Sequence, residues 1–156
     1  MTDGSKANVT GKVLELAVED LLSRKGYEDP TKVVPKRGRL EALRASPLTR
    51  KYAKQVYIGK SIYGTDLYAD FLISKDGEET ILECRWQQVS GSVDEKFPYM
   101  DLNIRERFPC PAIVIADGKG CKPGAMAWLR NRVPEDPNLK AVYDLAEFIR
   151  FANDWL

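Results

Sequence analysis

The stretch from Leu67 to Gln87, LYADFLISKDGEETILECRWQ, constrains the chain more than any other. Two runs rich in apolar, β-branched and aromatic residues flank Asp76-Gly77. An Asp-Gly pair between such runs is the strongest short hairpin signal, because both central residues of a type I′ turn need positive φ. With Asp76 and Gly77 as the two loop residues, Lys75 pairs with Glu78 and every further pair follows by counting. Asp70 then falls opposite Glu83, and Tyr68 opposite Arg85, with directly opposed Cβ atoms about 4.5–5.5 Å apart. Successive side chains point to opposite faces, so Glu83, Arg85 and Gln87 share one face. Leu82, Cys84 and Trp86 form the other, and the register adds Ala69, Phe71 and Ile73 to that apolar side.

Two facing carboxylates repel one another, and a shared divalent cation removes the conflict. Hard Mg²⁺ is held through one or two carboxylates together with water and phosphate oxygens. The competing arrangement is a solvated face on which Asp70 and Glu83 pair separately, with Arg85 and a lysine.

The rest of the chain supplies the elements around this hairpin. Val13, Leu14, Ala17, Val18, Leu21 and Leu22 recur at helical spacing, predicting a first helix from Asn8 or Thr10 to about Lys25, with Gly26 as terminator. Tyr27 to Thr49 reads as basic loop with a short helix around Leu40 to Arg44, and a strand follows near Lys54 to Gly59. Beyond the hairpin, a helix is expected from Val93 to Arg107, with Ser92 and Glu95 as capping box and Pro98 kinking or delaying it. PAIVIAD is a buried strand and DGKGCKPG a connecting loop. A helix at Ala125–Arg132, a short strand at Ala141–Tyr143 and a helix at Asp144–Asp154 complete the chain. Trp128, Phe148 and Trp155 sit at helical spacings that suggest core. The order, α-β-β-β-α-β-α-β-α, describes an α/β fold: a mixed central sheet flanked by helices. Its 156 residues are those of a single domain, 1–156.

Charge is unevenly spread. Lys32, Lys36, Arg37, Arg39, Arg44, Arg50, Lys51 and Lys54 are opposed only by Glu41 between positions 32 and 54, although the whole chain carries a net charge of only +1. Such a segment is either the footprint of a polyanion or a solvated loop. The absence of histidine excludes imidazole bases, Ser-His triads and histidine metal sites.

Asp70 followed by Glu83-Cys84-Arg85 on the next hairpin strand resembles the PD-(D/E)XK nuclease superfamily, which has a restriction-endonuclease-like fold. GKVLE, Gly11 to Glu15, resembles the G-x-x-x-E of that family's first helix, and ECRWQ its E-x-K-x-Q form. The element order fits the family's α-β-β-β-α-β core. YGTDLYADFLI through ECRWQQVSGSVDEKFPY also looks like a group of small bacterial nuclease-like proteins. The resemblance implies a metal-dependent DNA endonuclease. In that reading Asp70 and Glu83 ligate Mg²⁺, or Mn²⁺ in its place, with the Cys84 carbonyl as third ligand. Glu15 reaches the metal or a second ion through water, with Glu19, one turn along, as competitor. Gln87 orients the nucleophile.

One position departs from the pattern: Arg85 replaces the family lysine. A guanidinium stays protonated and cannot act as a base, although it can orient water or stabilise charge on phosphorus oxygens. The alternative class is therefore a nuclease fold that binds nucleic acid or a protein without cutting. DNA contacts are assigned to Lys36, Arg37, Arg39, Arg50, Lys51 and Lys54, to Ser90 and Ser92 ahead of the third helix, to Lys96 in its first turn, and to Lys119 and Lys122. An ordinary cap is the competing role for Ser90-Gly91-Ser92. No organic cofactor is called for, and symmetric cutting of a duplex would need a homodimer. The opening MTDGSKANVTGK lacks the layout of a secretory leader, and three cysteines without CxxC spacing fit reduced thiols, so a cytoplasmic protein without membrane spans is expected.

Overall fold

The computed structural model describes residues 3–87, 91 and 93–156, with the side chains of its first helix described from Lys12 onward. The elements are α1 (Asp3–Arg24), α2 (Arg39–Ala45), β1 (Arg50–Lys60), β2 (Asp66–Lys75), β3 (Glu78–Trp86), α3 (Phe97–Glu106), β4 (Ala112–Asp117), α4 (Pro123–Asn131), β5 (Leu139–Tyr143) and α5 (Leu145–Trp155). The five strands lie in the order β1-β2-β3-β4-β5. β1, β2 and β3 are antiparallel neighbours joined by short turns, whereas β3, β4 and β5 run parallel. Parallel neighbours need a crossover, and α3 and α4 supply the two that this sheet requires. The result is the α/β mixed sheet with flanking helices that the element order predicts.

Both faces of the sheet are buried. On one side Leu72, Ile81, Ala112, Val114 and Ala116 pack with Leu43 of α2, Phe97, Met100 and Ile104 of α3, and Leu129 of α4. On the other, Phe71, Ile73, Leu82, Ile113 and Ile115 pack with Leu14, Val18, Leu21 and Leu22 of α1 and with Phe148 and Ala152 of α5. The continuous apolar run of β4 follows from this, since a central parallel strand faces helices on both sides.

Local chemistry sets the boundaries. Helix α1 begins at Asp3, so Asn8 and Thr10 lie inside it and not at its cap. It ends on Gly26 at φ +84°, with Tyr27 N–H donating to Leu22 O and Gly26 N–H to Ser23 O, a Schellman termination. Pro98 delays α3: a 3₁₀ turn, Asp94–Lys96, comes first, and the proline takes the first turn, where its missing N–H costs nothing. The capping box expected at Ser92 involves a residue outside those described. A different one operates at α5, where the Asp144 carboxylate accepts from Glu147 N–H at 2.8 Å and Glu147 Oε1 accepts from Asp144 N–H at 3.1 Å. Trp128 is not core: it is 41% exposed on α4, with the Arg132 guanidinium over its ring. β1 forms one edge of the sheet, and Glu28 adds an isolated parallel bridge to Lys51 on its outer side.

Candidate active site

The hairpin turn has the expected form. Asp76 and Gly77 have φ +50° and +87°, and Lys75 pairs with Glu78. The register runs as expected to Phe71↔Leu82 and stops there. Beyond that step β3 pairs with β4 alone, as far as Trp86↔Asp117. Tyr68 therefore does not face Arg85 in a ladder; its partner is Tyr57 on β1. The N–H groups of Ile81 and Gln87 point toward β4, donating to Pro111 O and Asp117 O, so that of Cys84 points toward β2. There it finds no main-chain acceptor in the ladder, and the Asp70 carboxylate takes its place, Oδ2 accepting at 2.8 Å.

The same point breaks the regular alternation of β2. Ala69 packs with the α3 side of the sheet and not with Phe71 and Ile73. The adjacent residue on β1, Gln55, has φ +49° and donates from Nε2 to Asp70 Oδ1 at 3.4 Å. Asp70 thus sits where two neighbouring strands both depart from ideal geometry, a distortion typical of the positions that re-aim a functional side chain.

Glu83 lies beside Asp70, and Arg85 holds the two together. Arg85 Nη1 donates to Asp70 Oδ2 at 3.0 Å and to Cys84 O at 2.9 Å, and Nη2 meets Glu83 Oε2 at 3.2 Å. The Glu83 side chain is 3% exposed, and its Oε1 is buried with no hydrogen-bond partner. Burial, then the charge of Asp70, pushes the Glu83 carboxyl well above its ordinary range against the pull of Arg85. Burial alone would lower the Arg85 guanidinium, but the charges of Glu83 and Asp70 outweigh it and hold the group above its usual value. The Cys84 thiol is pushed up by burial and by the same acids, which leaves its main-chain carbonyl as the group suited to a cation.

Helix α1 brings a third carboxylate. Burial and then Asp70 raise Glu15, with Lys54 and Arg85 pulling the other way. Glu19, one turn along, is spent on β1: Oε2 pairs with Lys54 Nζ at 2.9 Å and Oε1 accepts from Tyr52 OH at 3.2 Å. The two helix glutamates are thereby separated, with Glu15 the one coupled to Asp70. Gln87 is elsewhere. Its Oε1 accepts from Val93 N–H at 2.6 Å and its Nε2 donates to Gly120 O at 2.8 Å, so the amide ties the end of β3 to two loops. Among the described residues no three Cys, Asp or Glu side chains converge as a ready metal cluster. The donors of Asp70, Glu83 and the Cys84 carbonyl are nonetheless the hard oxygens that suit a divalent ion, and the partnerless Glu83 Oε1 fits the same need.

The family model of a PD-(D/E)XK nuclease superfamily domain matches residues 6–156. The chain belongs to the PD-(D/E)XK nuclease superfamily. Neither the curated proteins nor the solved structures gave a significant match. Membership supports a phosphodiesterase-type enzyme in general, of a superfamily whose nucleases use divalent metals.

In this PD-(D/E)XK domain the basic segment is largely engaged by the protein itself. Arg39 donates to Val34 O and Lys54 O, Arg44 is bidentate on Glu79, and Arg50 donates to Lys25 O. Lys51 is 7% exposed and donates to Ser46 O. Lys54 belongs to the Glu19 pair beside the acidic site. Arg37 bonds Asp66 at 2.6 Å and lies 4.2 Å over the Tyr57 ring, while Lys36 lies over Tyr68. Lys96 ends the 3₁₀ turn before α3. Lys122 stands 3.9 Å from the buried Asp94 carboxylate. Ser90 and Ser92 lie outside the described residues. The site residue that sequence reasoning missed is Gln55. A polar side chain in a strand of mixed polarity carries no signal of its own, and its role comes from a positive φ that no local sequence rule foretells.

Proposed function

We propose that this chain is a divalent-metal-dependent endonuclease that hydrolyses phosphodiesters in DNA. The observation that carries the reading is the meeting of Asp70 and Glu83 just past the end of the β2–β3 ladder, with a buried Glu83 oxygen left without a partner. Asp70, Glu83 and the Cys84 carbonyl would hold Mg²⁺ or Mn²⁺, with Glu15 contributing through water. Such an ion supplies a water of lowered pKa and charge stabilisation at the phosphorus oxygens.

The protein's own groups account for the rest. Asp70 is oriented from two sides, by Cys84 N–H and Gln55 Nε2, and so presents its oxygens in a fixed direction. Arg85 cannot take a proton from the attacking water, so its part is to donate to non-bridging phosphate oxygens as negative charge grows there. Glu15, its affinity for a proton increased by burial and by Asp70, can order water beside Asp70.

The test is incubation with supercoiled, linear and branched DNA in Mg²⁺ or Mn²⁺, alongside Asp70→Ala and Arg85→Lys. Cutting that disappears in Asp70→Ala supports the assignment, and cutting that survives it overturns the mechanism. A gain in Arg85→Lys identifies the arginine as what limits the rate. The second reading, a fold that binds nucleic acid without cutting, is favoured by the guanidinium already seated on the acidic oxygens. It expects salt-sensitive DNA binding that persists in EDTA, with no cleavage by either form.

A further inference from the structure

Arg85 already contacts all three groups that would hold a divalent ion: Asp70 through Oδ2 at 3.0 Å, the Cys84 carbonyl at 2.9 Å and Glu83 through Oε2 at 3.2 Å. From these contacts we infer that Arg85 is an internal cation occupying the metal-binding oxygens, so that metal enters only when the guanidinium swings away. This rests on the reading of Asp70 and Glu83 as metal-holding groups and adds the control of access to them.

Three features support it. The guanidinium serves oxygens from two strands and a main-chain carbonyl at once, so it fills the space between them and does not hang from one edge. Its single charge answers two carboxylates, leaving Glu83 Oε1 buried and unpartnered, a deficit that a doubly charged ion would remove. The Arg85 side chain is 31% exposed, against 3% for Glu83, so it has an outward path that the acid lacks. A guanidinium and a divalent ion cannot share the same oxygens, because like charges at such separation repel strongly where water is largely excluded. One displaces the other.

The decisive measurement is calorimetric titration of Mn²⁺ into the metal-free chain without nucleic acid, for the wild type, Arg85→Met and Asp70→Asn. Arg85→Met should bind Mn²⁺ at least about tenfold more tightly than wild type, and Asp70→Asn should bind least. Arg85→Met should also melt at a lower temperature without metal and regain more than the wild type when Mn²⁺ is added. If loss of the guanidinium prevents folding, the wild type still decides the matter through the side-chain NMR signals of its arginines. Titration with diamagnetic Mg²⁺ should shift the Arg85 signal and speed its hydrogen exchange. Equal affinity in wild type and Arg85→Met, or Mg²⁺ binding that leaves the Arg85 signal unmoved, overturns the inference and spares the metal site. No binding to any form overturns both.

Discussion

Glu83 is the residue on which the electrostatics of the site turn. Burial and then Asp70 raise its carboxyl well above the ordinary value of 4.5, so the folded chain holds that proton more tightly than the unfolded chain. Its contribution to stability is therefore complete below that value and is lost as pH rises through the folded one. Glu83→Gln keeps the shape and removes the titration. Urea unfolding without metal should show the wild type losing stability relative to Glu83→Gln as pH rises above the ordinary carboxylate value, with the gap closing toward acid. Parallel pH profiles for the two proteins would contradict a raised Glu83. Arg85 belongs to the same scale. The sequence resemblance suggests Arg85 in the place of a lysine, but nothing in it tells that the guanidinium reaches back to the residue before it, across to β2 and onto Glu83.

Among the elements, those whose signals are local were legible in the sequence. The Asp-Gly turn needs two positive φ values and has them, and the apolar run of β4 announced a strand between two layers. Gly77→Ala keeps open space around its new Cβ but forces an alanine to φ +87°, so it should cost about 1–2 kcal/mol by chemical denaturation. Gly118→Ala should cost more. Its Cβ would lie 2.2 Å from Gln87 O, which pushes the end of β3 away from β4. A Gly118→Ala protein as stable as Gly77→Ala would refute that packing argument. The end of the β2–β3 ladder was not legible, nor was the shift of Ala69 to the other face. Both depend on Gln55 and on the Asp70 carboxylate standing in for a main-chain acceptor at Cys84 N–H, contacts distant in sequence.

For the whole molecule the question is how much of the positive charge remains for a polyanion. Arg39 and Lys51 serve main-chain carbonyls of their own fold, whereas Lys36 lies over the Tyr68 ring two residues from Asp70. Lys36→Ala should reduce the salt dependence of DNA binding by about one counterion. Arg39→Ala should lower the melting temperature and leave that slope unchanged. Measuring affinity at several salt concentrations separates them, and a slope that falls equally in both would show that Arg39 contacts DNA and is not purely structural. A displaced Arg85 also gains a phosphate to bind, so metal and DNA should strengthen each other, by a factor of about 5 to 150. Mn²⁺ affinity with and without an uncleavable duplex measures it, and an unchanged value would uncouple the two.

The outer flank of β1 has a consequence for assembly. Glu28 N–H donates to Arg50 O and Tyr52 N–H to Glu28 O, so a piece of the same chain takes the first places along that border. Farther on, Gln55 turns the backbone to positive φ and the pairing slips between Tyr57 and Gly59. A neighbouring molecule seeking to extend the sheet would meet a blocked start and a kinked continuation, which protects this border from fibre-like stacking. Two copies that cooperated on a duplex would have to join elsewhere than along β1.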